Sequence, residues 1–214
     1  DGEVNFNNGI SVTEEDFEPI TEEEAETLFD PKYSSDIYKY DLKGKMTAEE
    51  VSSALLFNES GLLNLARYPD EGALVNMISR YDGKYGHFET DRPITEAYIL
   101  LPLTKRFATY HDITEGRICG NLCFDFLFER LDILHYDKDT GYLAIEKSYY
   151  GLSADTPGTY WSHKPFYVEN ISEELTTEGE YYIDNDNMIL YVYKPAGKYG
   201  IASKGTFVTC AEGA

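Results

Sequence analysis

The chain has 214 residues, 39 of them acidic and 18 basic, which gives a formal net charge of -21. Nucleic acids and anionic membranes would repel a protein of this charge, so we expect neither as a partner. The 42% hydrophobic content is enough for a buried core, and no stretch reaches the ~20 apolar residues of a membrane span, so we expect a single β-rich module over residues 1–214.

The first predicted elements are a short strand and a short helix. The strand follows an Asn-Asn-Gly turn and covers residues 10–12. Thr21 and Glu24 have the spacing of a capping box, in which each side chain accepts a hydrogen bond from the other residue's backbone amide. Apolar residues then share one face of the helix as far as Phe29, and Pro31 ends it. We interpret this acidic, amphipathic helix as a docking helix.

A second strand and a second helix come next, followed by an arginine with two possible roles. Residues 37–42 alternate as in a strand, and residues 47–51 open another short capped helix. Arg67 precedes Asp70 and Glu71 closely enough to form a bidentate carboxylate pair that would lock a turn. Alternatively, its guanidinium faces a ligand hydroxyl.

The middle of the chain predicts one buried strand and a hairpin. The strand covers residues 97–101, and the hairpin joins residues 127–136 to residues 141–147. Asp137 and Asp139 lie in its connection, but the loop lacks the third acid and the distant glutamate of an EF-hand calcium loop. We therefore predict a simple turn there and expect no cofactor, neither calcium nor any other metal.

The loop from residue 148 to residue 165 is the predicted ligand site. It is long for a connection between strands, and it contains the only tryptophan of the chain. Aromatic rings stack on the apolar faces of a pyranose, while polar neighbours bond to its hydroxyls. The alternative is that these rings fill the end of the core. The candidate ligand-binding residues are Trp161, Tyr160, Tyr149, Tyr150, Asp155 and His163.

The last third of the chain predicts a second hairpin. Its strands are residues 180–183 and 188–193, and the Asx residues at 184–187 tolerate the left-handed backbone of a tight turn. Before it, residues 172–175 have room for about one helical turn. Pro195 ends the second strand because proline cannot donate to a β-ladder.

Two segments resemble one known family. The first reads V-E-N at residues 168–170, E-E-L at 173–175 and G-E-Y-Y at 179–182, then L-Y-V-Y and a proline; the second reads L-A-R-Y-P-D-E-G at residues 65–72. Both resemble segments of bacterial right-handed parallel β-helix proteins of the glycoside hydrolase family 141 type, in the domain inserted near the start of the β-helix. The resemblance implies that this chain is that inserted module, excised from a larger multidomain enzyme.

Residues 120–126 lie where relatives have a G-Y-W-x-x-D-W segment, so both tryptophans are replaced. Leu122 stands at the inner position and Phe126 at the outer one. If the tryptophans lined a sugar site in relatives, the site here must differ. If they belonged to the core, Leu122 and Phe126 are ordinary replacements.

Catalytic and metal-binding patterns are mostly missing from the sequence. The histidines lie far apart. Cys119, Cys123 and Cys210 are too few for a disulfide scaffold and too sparse for a four-ligand zinc site, and we interpret Cys119 and Cys123 as buried thiols. Acidic residues are so abundant that a glycosidase pair could be drawn anywhere. In the resembling hydrolases the catalytic groups are expected on the β-helix, so we do not expect this chain to be an enzyme.

These observations together predict a mainly β fold, an antiparallel barrel-like or sandwich domain with two short helices near the N-terminus. The predicted function is non-catalytic binding of a plant cell-wall polysaccharide, with β-glucan or xyloglucan as the guess. The expected partners are this polysaccharide and the remainder of the parent enzyme, with the chain itself monomeric; the resemblance implies an extracellular location. The alternatives are a structural domain that caps the β-helix and a glycoside hydrolase in its own right.

Overall fold

A computed structural model describes residues 4–7, 9–72, 74–77, 96–100, 106–122, 126–139, 142–146, 164–203 and 207–210. The chain divides into two compact units. Unit 1 combines Asp1–Ala66 with Ser172–Ala214, and unit 2 is Arg67–Ile171. The single module over residues 1–214 stays a prediction.

The described residues form two short helices, α1 (Glu22–Thr27) and α2 (Ala48–Ser52), and eighteen strands. Eleven strands belong to unit 1: β1 (Val4–Asn7), β2 (Ile10–Thr13), β3 (Glu18–Pro19), β4 (Ile37–Asp41), β5 (Leu55–Asn58), β6 (Gly61–Leu62), β7 (Asn64–Leu65), β15 (Glu180–Asp184), β16 (Ile189–Tyr193), β17 (Lys198–Ala202) and β18 (Phe207–Cys210). Seven belong to unit 2: β8 (Arg67–Tyr68), β9 (Leu74–Met77), β10 (Glu96–Leu100), β11 (Arg117–Gly120), β12 (Glu129–Asp137), β13 (Tyr142–Glu146) and β14 (Lys164–Glu169).

Unit 1 is built around a five-stranded sheet with the order β3-β4-β16-β15-β7. A four-stranded sheet, β2-β17-β5-β6, packs on one of its faces, and β1 pairs with β18. All of these pairs are antiparallel except β7 with β15, which is parallel. The sandwich alternative is thus confirmed, and no sheet of the described residues closes into a barrel.

Side chains along β15 and β16 point alternately to the two faces of the five-stranded sheet, and both faces are buried. Tyr181 and Val192 point into the core shared with the four-stranded sheet, whereas Tyr182 and Tyr191 point into a second core under α1. All five residues of β15 are buried. A strand buried on both faces reads as a continuous apolar run, and in β15 this holds for Tyr181–Ile183, which lie between the buried acids Glu180 and Asp184.

Helix α1 is held to the sheet by one aromatic anchor and one carboxylate. Phe29, just beyond the helix, is 1% exposed and lies edge-on to Tyr191 with ring centroids 5.0 Å apart. Glu24 accepts from the Thr21 amide at 2.6 Å, from Lys39 at 2.8 Å and from the Tyr191 hydroxyl at 3.0 Å. The capping carboxylate therefore also ties the helix to β4 and β16.

Glu24→Gln is expected to make the free energy of unfolding depend less on pH in the acidic range. Burial would raise the pKa of Glu24, but the hydrogen bonds from Lys39 and Thr21 hold it below its ordinary value of 4.5. A carboxyl group whose pKa is lower in the folded than in the unfolded protein stabilises the fold at neutral pH. This stabilisation is lost as the pH falls below about 4.5 and then passes through the folded-state pKa. We expect the variant to lose about 2 kcal/mol at pH 7 and almost nothing at pH 2, measured by urea denaturation.

Glu26→Gln is the matched control for this prediction, since Glu26 is an exposed residue of the same helix. It should leave the free energy of unfolding at pH 7 unchanged within about 0.5 kcal/mol. Equal losses for Glu24→Gln at pH 7 and pH 2 would contradict the ion-pair account.

Unit 2 contains a sheet with the order β10-β13-β12-β11-β14-β8, and β9 also pairs with β14. Its inner face packs a core that includes Phe107, Ile118, Leu122 and Val168. The first and last strands of the unit are neighbours, because Arg67 of β8 pairs with Glu169 of β14. The chain therefore enters and leaves unit 2 at adjacent positions.

Most of the predicted local elements are confirmed. Both capping boxes form, at Thr21 and at Thr47. Strands β12 and β13 form the middle hairpin, and β15 and β16 form the last one. The single helical turn before it is the 3-10 turn Ser172–Glu174.

One detail of the last hairpin was predicted wrongly. The left-handed backbone was expected at the Asx residues 184–187, but the residue with positive φ is Met188, at 54°. Asp184 instead accepts from the amide of Asn187 at 2.7 Å and from its side-chain amide at 2.9 Å. These side-chain bonds fix the turn between the paired residues Asp184 and Ile189, and its left-handed residue is Met188, one position after the Asx residues.

Neither of the two described helices is long and apolar enough to cross a membrane.

The middle hairpin connection forms the predicted turn as far as it is described, since the Asp139 amide donates to the Asp137 side chain at 2.9 Å.

Candidate functional site

The predicted ligand-binding residues lie outside the described part of the chain. Residues 147–163 include Trp161, Tyr160, Tyr149, Tyr150, Asp155 and His163, so their arrangement stays a prediction. Lys164–Glu169, which follows directly, forms β14. The loop therefore ends at the strand that carries the site described next.

An aromatic and charged surface covers part of the outer face of unit 2, where β12, β11, β14 and β8 lie side by side. We call it the aromatic surface and define it by Phe128, Tyr167, Arg67 and Arg130, with Phe126 two residues before Phe128 in the chain. Tyr167, Cys119 and Arg130 lie side by side across three strands. The adjacent row on the same face is formed by Glu169, Arg117 and Asp132.

Tyr167 is the centre of the aromatic surface. The guanidinium carbon of Arg67 lies 3.6 Å from its ring centroid, and the ring of Phe128 lies 6.3 Å away at an angle of 38°. Burial raises the pKa of Tyr167, and the nearby Cys119 and Glu169 add to this shift. The hydroxyl therefore stays protonated and remains a hydrogen-bond donor in neutral solution.

Arg67 locks a turn, as expected, but the hydrogen bonds that define its position go to backbone carbonyl groups. Its Nε donates to the carbonyl oxygen of Pro69 at 2.9 Å, and its Nη2 donates to that of Gly72. The expected carboxylate pair is thus replaced by carbonyl contacts and a stacked ring. A guanidinium has five donor hydrogens, so this arrangement orients the group and leaves donors for further contacts.

Arg130 is held by a buried carboxylate. Its Nε lies 3.5 Å from Oε1 of Glu169, whose side chain is 7% exposed, while the Arg130 side chain is 60% exposed. The charge of Glu169 raises the pKa of Arg130. The contact is electrostatic and not a hydrogen bond, because Oε1 of Glu169 is buried with no hydrogen-bond partner among the described residues, and most of the Arg130 side chain remains exposed. A buried carboxylate without this partner would be costly.

Leu122 and Phe126, which stand where the resembling family has tryptophans, lie in different environments. Leu122 is fully buried in the core of unit 2, so it is an ordinary core replacement. Phe126 is 83% exposed and Phe128 is 51% exposed. Large exposed aromatic residues close together often mark binding surfaces, so the outer position is not a core position.

The glycine at the start of this segment has a packing reason. A Cβ atom at Gly120 would lie 2.7 Å from the carbonyl oxygen of Pro165 on the neighbouring strand. The close approach brings β11 against β14, and so brings Cys119 next to Tyr167. Cys119 is a buried free thiol, as predicted, and burial raises its pKa. The side chains of Cys123 and Cys210 lie outside the described residues.

The polar residues of the V-E-N and G-E-Y-Y segments are mostly buried. Glu169, Asn170, Glu174 and Glu180 are each at most 5% exposed. Asn170 has a positive φ of 57° and donates to the carbonyl oxygen of Glu115 at 2.9 Å. These segments therefore hold backbone in place, which agrees with their interpretation as structural. Over the described ranges, no group of three or more metal-ligating side chains is found.

Comparisons with known proteins bear on the fold. No protein-family model matches the sequence, and no curated protein matches it significantly. A solved structure described as a glycoside hydrolase does match, with a TM-score of 0.55 and 16% identity. The match covers 92% of this chain and 31% of that one. The chain thus has the fold of about a third of a larger protein, and at this identity the likeness shows the fold alone.

Proposed function

We propose that the chain is a non-catalytic carbohydrate-binding module of an extracellular enzyme that degrades plant cell walls. The aromatic surface contacts the glycan, with β-glucan or xyloglucan as the preferred ligand. The exposure of Phe126 and Phe128 carries the proposal, because two large rings that are 83% and 51% exposed and separated by one residue in the chain are costly unless something covers them. The module acts as a monomer and needs no cofactor.

The chemistry of the surface fits a polysaccharide. The rings of Phe126 and Phe128 offer apolar area for the C–H faces of successive sugar units. Arg67 is fixed by its hydrogen bonds to backbone carbonyls and can donate to sugar hydroxyls without losing much side-chain freedom, and the exposed Arg130 offers further donors. The resemblance to glycoside hydrolase family 141 proteins and the fold shared with a glycoside hydrolase supply the carbohydrate context.

The first test is affinity electrophoresis of the whole chain through gels that contain xyloglucan, mixed-linkage β-glucan, xylan or pectin. We expect one glycan to slow the protein. Trp161→Ala tests the loop of residues 148–165 in the same gels: a loss of retardation would extend the site into that loop. If no glycan slows the wild type, the binding proposal fails.

A structural role is the second candidate, favoured by a different surface. On the outer side of the four-stranded sheet of unit 1, Leu55 is 42% exposed and Leu62, on the edge strand β6, is 57% exposed. These leucines offer apolar area for the remainder of the parent enzyme. This role predicts that no glycan retards the chain.

The hydrolase alternative finds less support in the described residues. Glu129 and Glu169 are the buried carboxylates of the unit 2 sheet there, at 8% and 5% exposure. Glu169 shares the face of Arg130, whereas Glu129, one residue before Arg130, falls on the other face. Two carboxylates on opposite faces of a sheet cannot flank one glycosidic bond.

A further inference from the structure

Positive charge is unevenly distributed between the two units. All six arginines of the chain lie in unit 2, so lysines are the only strongly basic residues of unit 1. Unit 1 has 23 acidic and 7 basic residues, whereas unit 2 has 16 acidic and 11 basic ones. An anionic group is therefore repelled much less by unit 2 than by unit 1.

Three of these arginines share the outer face of the unit 2 sheet. Arg67 and Arg117 are the two strand partners of Glu169, and Arg130 lies in the next row, which also contains Tyr167. Paired residues point to the same face of a sheet, as do residues two positions apart in a strand. The three arginine side chains therefore start from neighbouring positions around Glu169.

The carboxylates among these neighbours are fewer than the arginines and are already engaged. Asp132 accepts from Nε of Arg117 at 3.0 Å, and Glu169 lies against Arg130. The Glu169 side chain is 7% exposed, whereas the Arg130 side chain is 60% exposed. Three positive charges thus meet two negative ones among these residues, and one of the negative charges is buried. The accessible part of this group therefore has an excess of positive charge.

The side chains around Tyr167 are accessible and present hydrogen-bond donors. Arg67 and Tyr167 are half-buried. Arg67 donates through Nε and Nη2 to two backbone carbonyl groups, and its guanidinium stacks on the Tyr167 ring at 3.6 Å. These bonds use two of the five guanidinium hydrogens, so the group is oriented and keeps further donors. The ring of Phe128 lies 6.3 Å from that of Tyr167, so a sugar stacked on Phe128 would lie beside these donors.

We propose that Arg67, Arg130 and the Tyr167 hydroxyl bind the carboxylate of a uronic acid unit carried by the glycan. The inference rests on the proposed function and extends its ligand: the neutral backbone of the glycan stacks on the exposed rings, and an acidic side unit contacts the arginines. The planar fork of a guanidinium matches the two oxygens of a carboxylate, and such charge-assisted hydrogen bonds are stronger than those to a neutral hydroxyl. Charge complementarity thus selects an acidic unit over a neutral one at this position.

The test is an NMR titration of the full chain with two ligands that differ at a single carbon, methyl β-glucuronoside and methyl β-glucoside. The readout is the Nε–H signals of Arg67 and Arg130, assigned with variants at these positions. We expect the glucuronoside to shift both signals and to bind about tenfold more tightly than the glucoside. Raising the NaCl concentration from about 10 mM to about 1 M should remove most of this difference, because salt screens charges at a surface.

Three variants and one control assign the preference to these residues. Arg67→Gln should weaken the glucuronoside about tenfold, and so should Arg130→Gln combined with Glu169→Gln, which leaves no buried carboxylate without its partner. Tyr167→Phe should weaken it about fivefold. All three should leave the affinity for the glucoside within about twofold, which a general loss of structure would not do. The control is Lys198→Gln, which removes one exposed positive charge from unit 1 and should change neither affinity.

The outcomes separate this inference from the proposed function. Equal affinities for the two sugars would overturn it even if a glycan retards the chain in gels, and the binding of a neutral glycan would then stand alone. An equal loss of glucuronoside binding in Lys198→Gln would also overturn it, since the effect would reflect net charge. If no glycan retards the chain but the glucuronoside still shifts both arginine signals and the variants weaken it, the carboxylate site is supported and the polysaccharide proposal fails.

Discussion

Replacing both Phe126 and Phe128 by alanine is expected to abolish the retardation of the chain by its glycan. The two rings are 83% and 51% exposed and are separated by one residue in the chain. Losing the stacking and apolar contact of each ring costs roughly 1.4 kcal/mol, so the double variant should bind about a hundredfold more weakly. Affinity electrophoresis over a range of glycan concentrations measures the loss.

The control for this experiment is Leu62→Ala, which removes an exposed apolar side chain from unit 1. It should run like the wild type in every gel. The thermal midpoint of the Phe126 and Phe128 variant should stay within a few degrees of the wild type, because exposed side chains contribute little to folding. Unchanged retardation of this variant would remove the aromatic surface as the glycan site.

Phe29→Ala is expected to destabilise unit 1 more than any surface change. Phe29 is 1% exposed and packs against Tyr182 and Tyr191, so alanine leaves a cavity between α1 and the five-stranded sheet. Deleting a buried phenylalanine ring costs about 3–5 kcal/mol. Urea denaturation followed by circular dichroism should show this loss.

Phe126→Ala is the matched control, since it makes the same chemical change at an exposed position. Its free energy of unfolding should differ from that of the wild type by less than about 0.5 kcal/mol. A loss for Phe29→Ala no larger than this would mean that α1 does not depend on its aromatic anchor.

The elements that the sequence predicted are those fixed by local chemistry. The capping boxes at Thr21 and Thr47 need residues only three positions apart, and both form. The hairpins need a turn signal between two β-type runs, so β12 with β13 and β15 with β16 were predictable. Successive strand residues point to opposite faces, so burial of Tyr181–Ile183 on both faces of β15 follows from their consecutive apolar side chains, whereas the burial of Glu180 and Asp184 does not.

The long-range contacts were not predictable from the pattern. Arg67 and Tyr167 are a hundred positions apart in the sequence, and only the pairing of β8 with β14 brings them together. The sequence left open whether Phe126 belongs to the core, and its exposure of 83% was not predictable from the local pattern.

The pairing of Arg67 with Glu169 also has a consequence for genetic rearrangement. Since the two ends of unit 2 are neighbours, deleting residues 67–171 would leave a gap that a short turn can bridge. A coding sequence with that deletion would still encode every strand of unit 1. Conversely, the ends of unit 2 could be joined by a few residues and the unit opened at a new position, which is a circular permutation. Gene fusion could then place such a unit in a different protein.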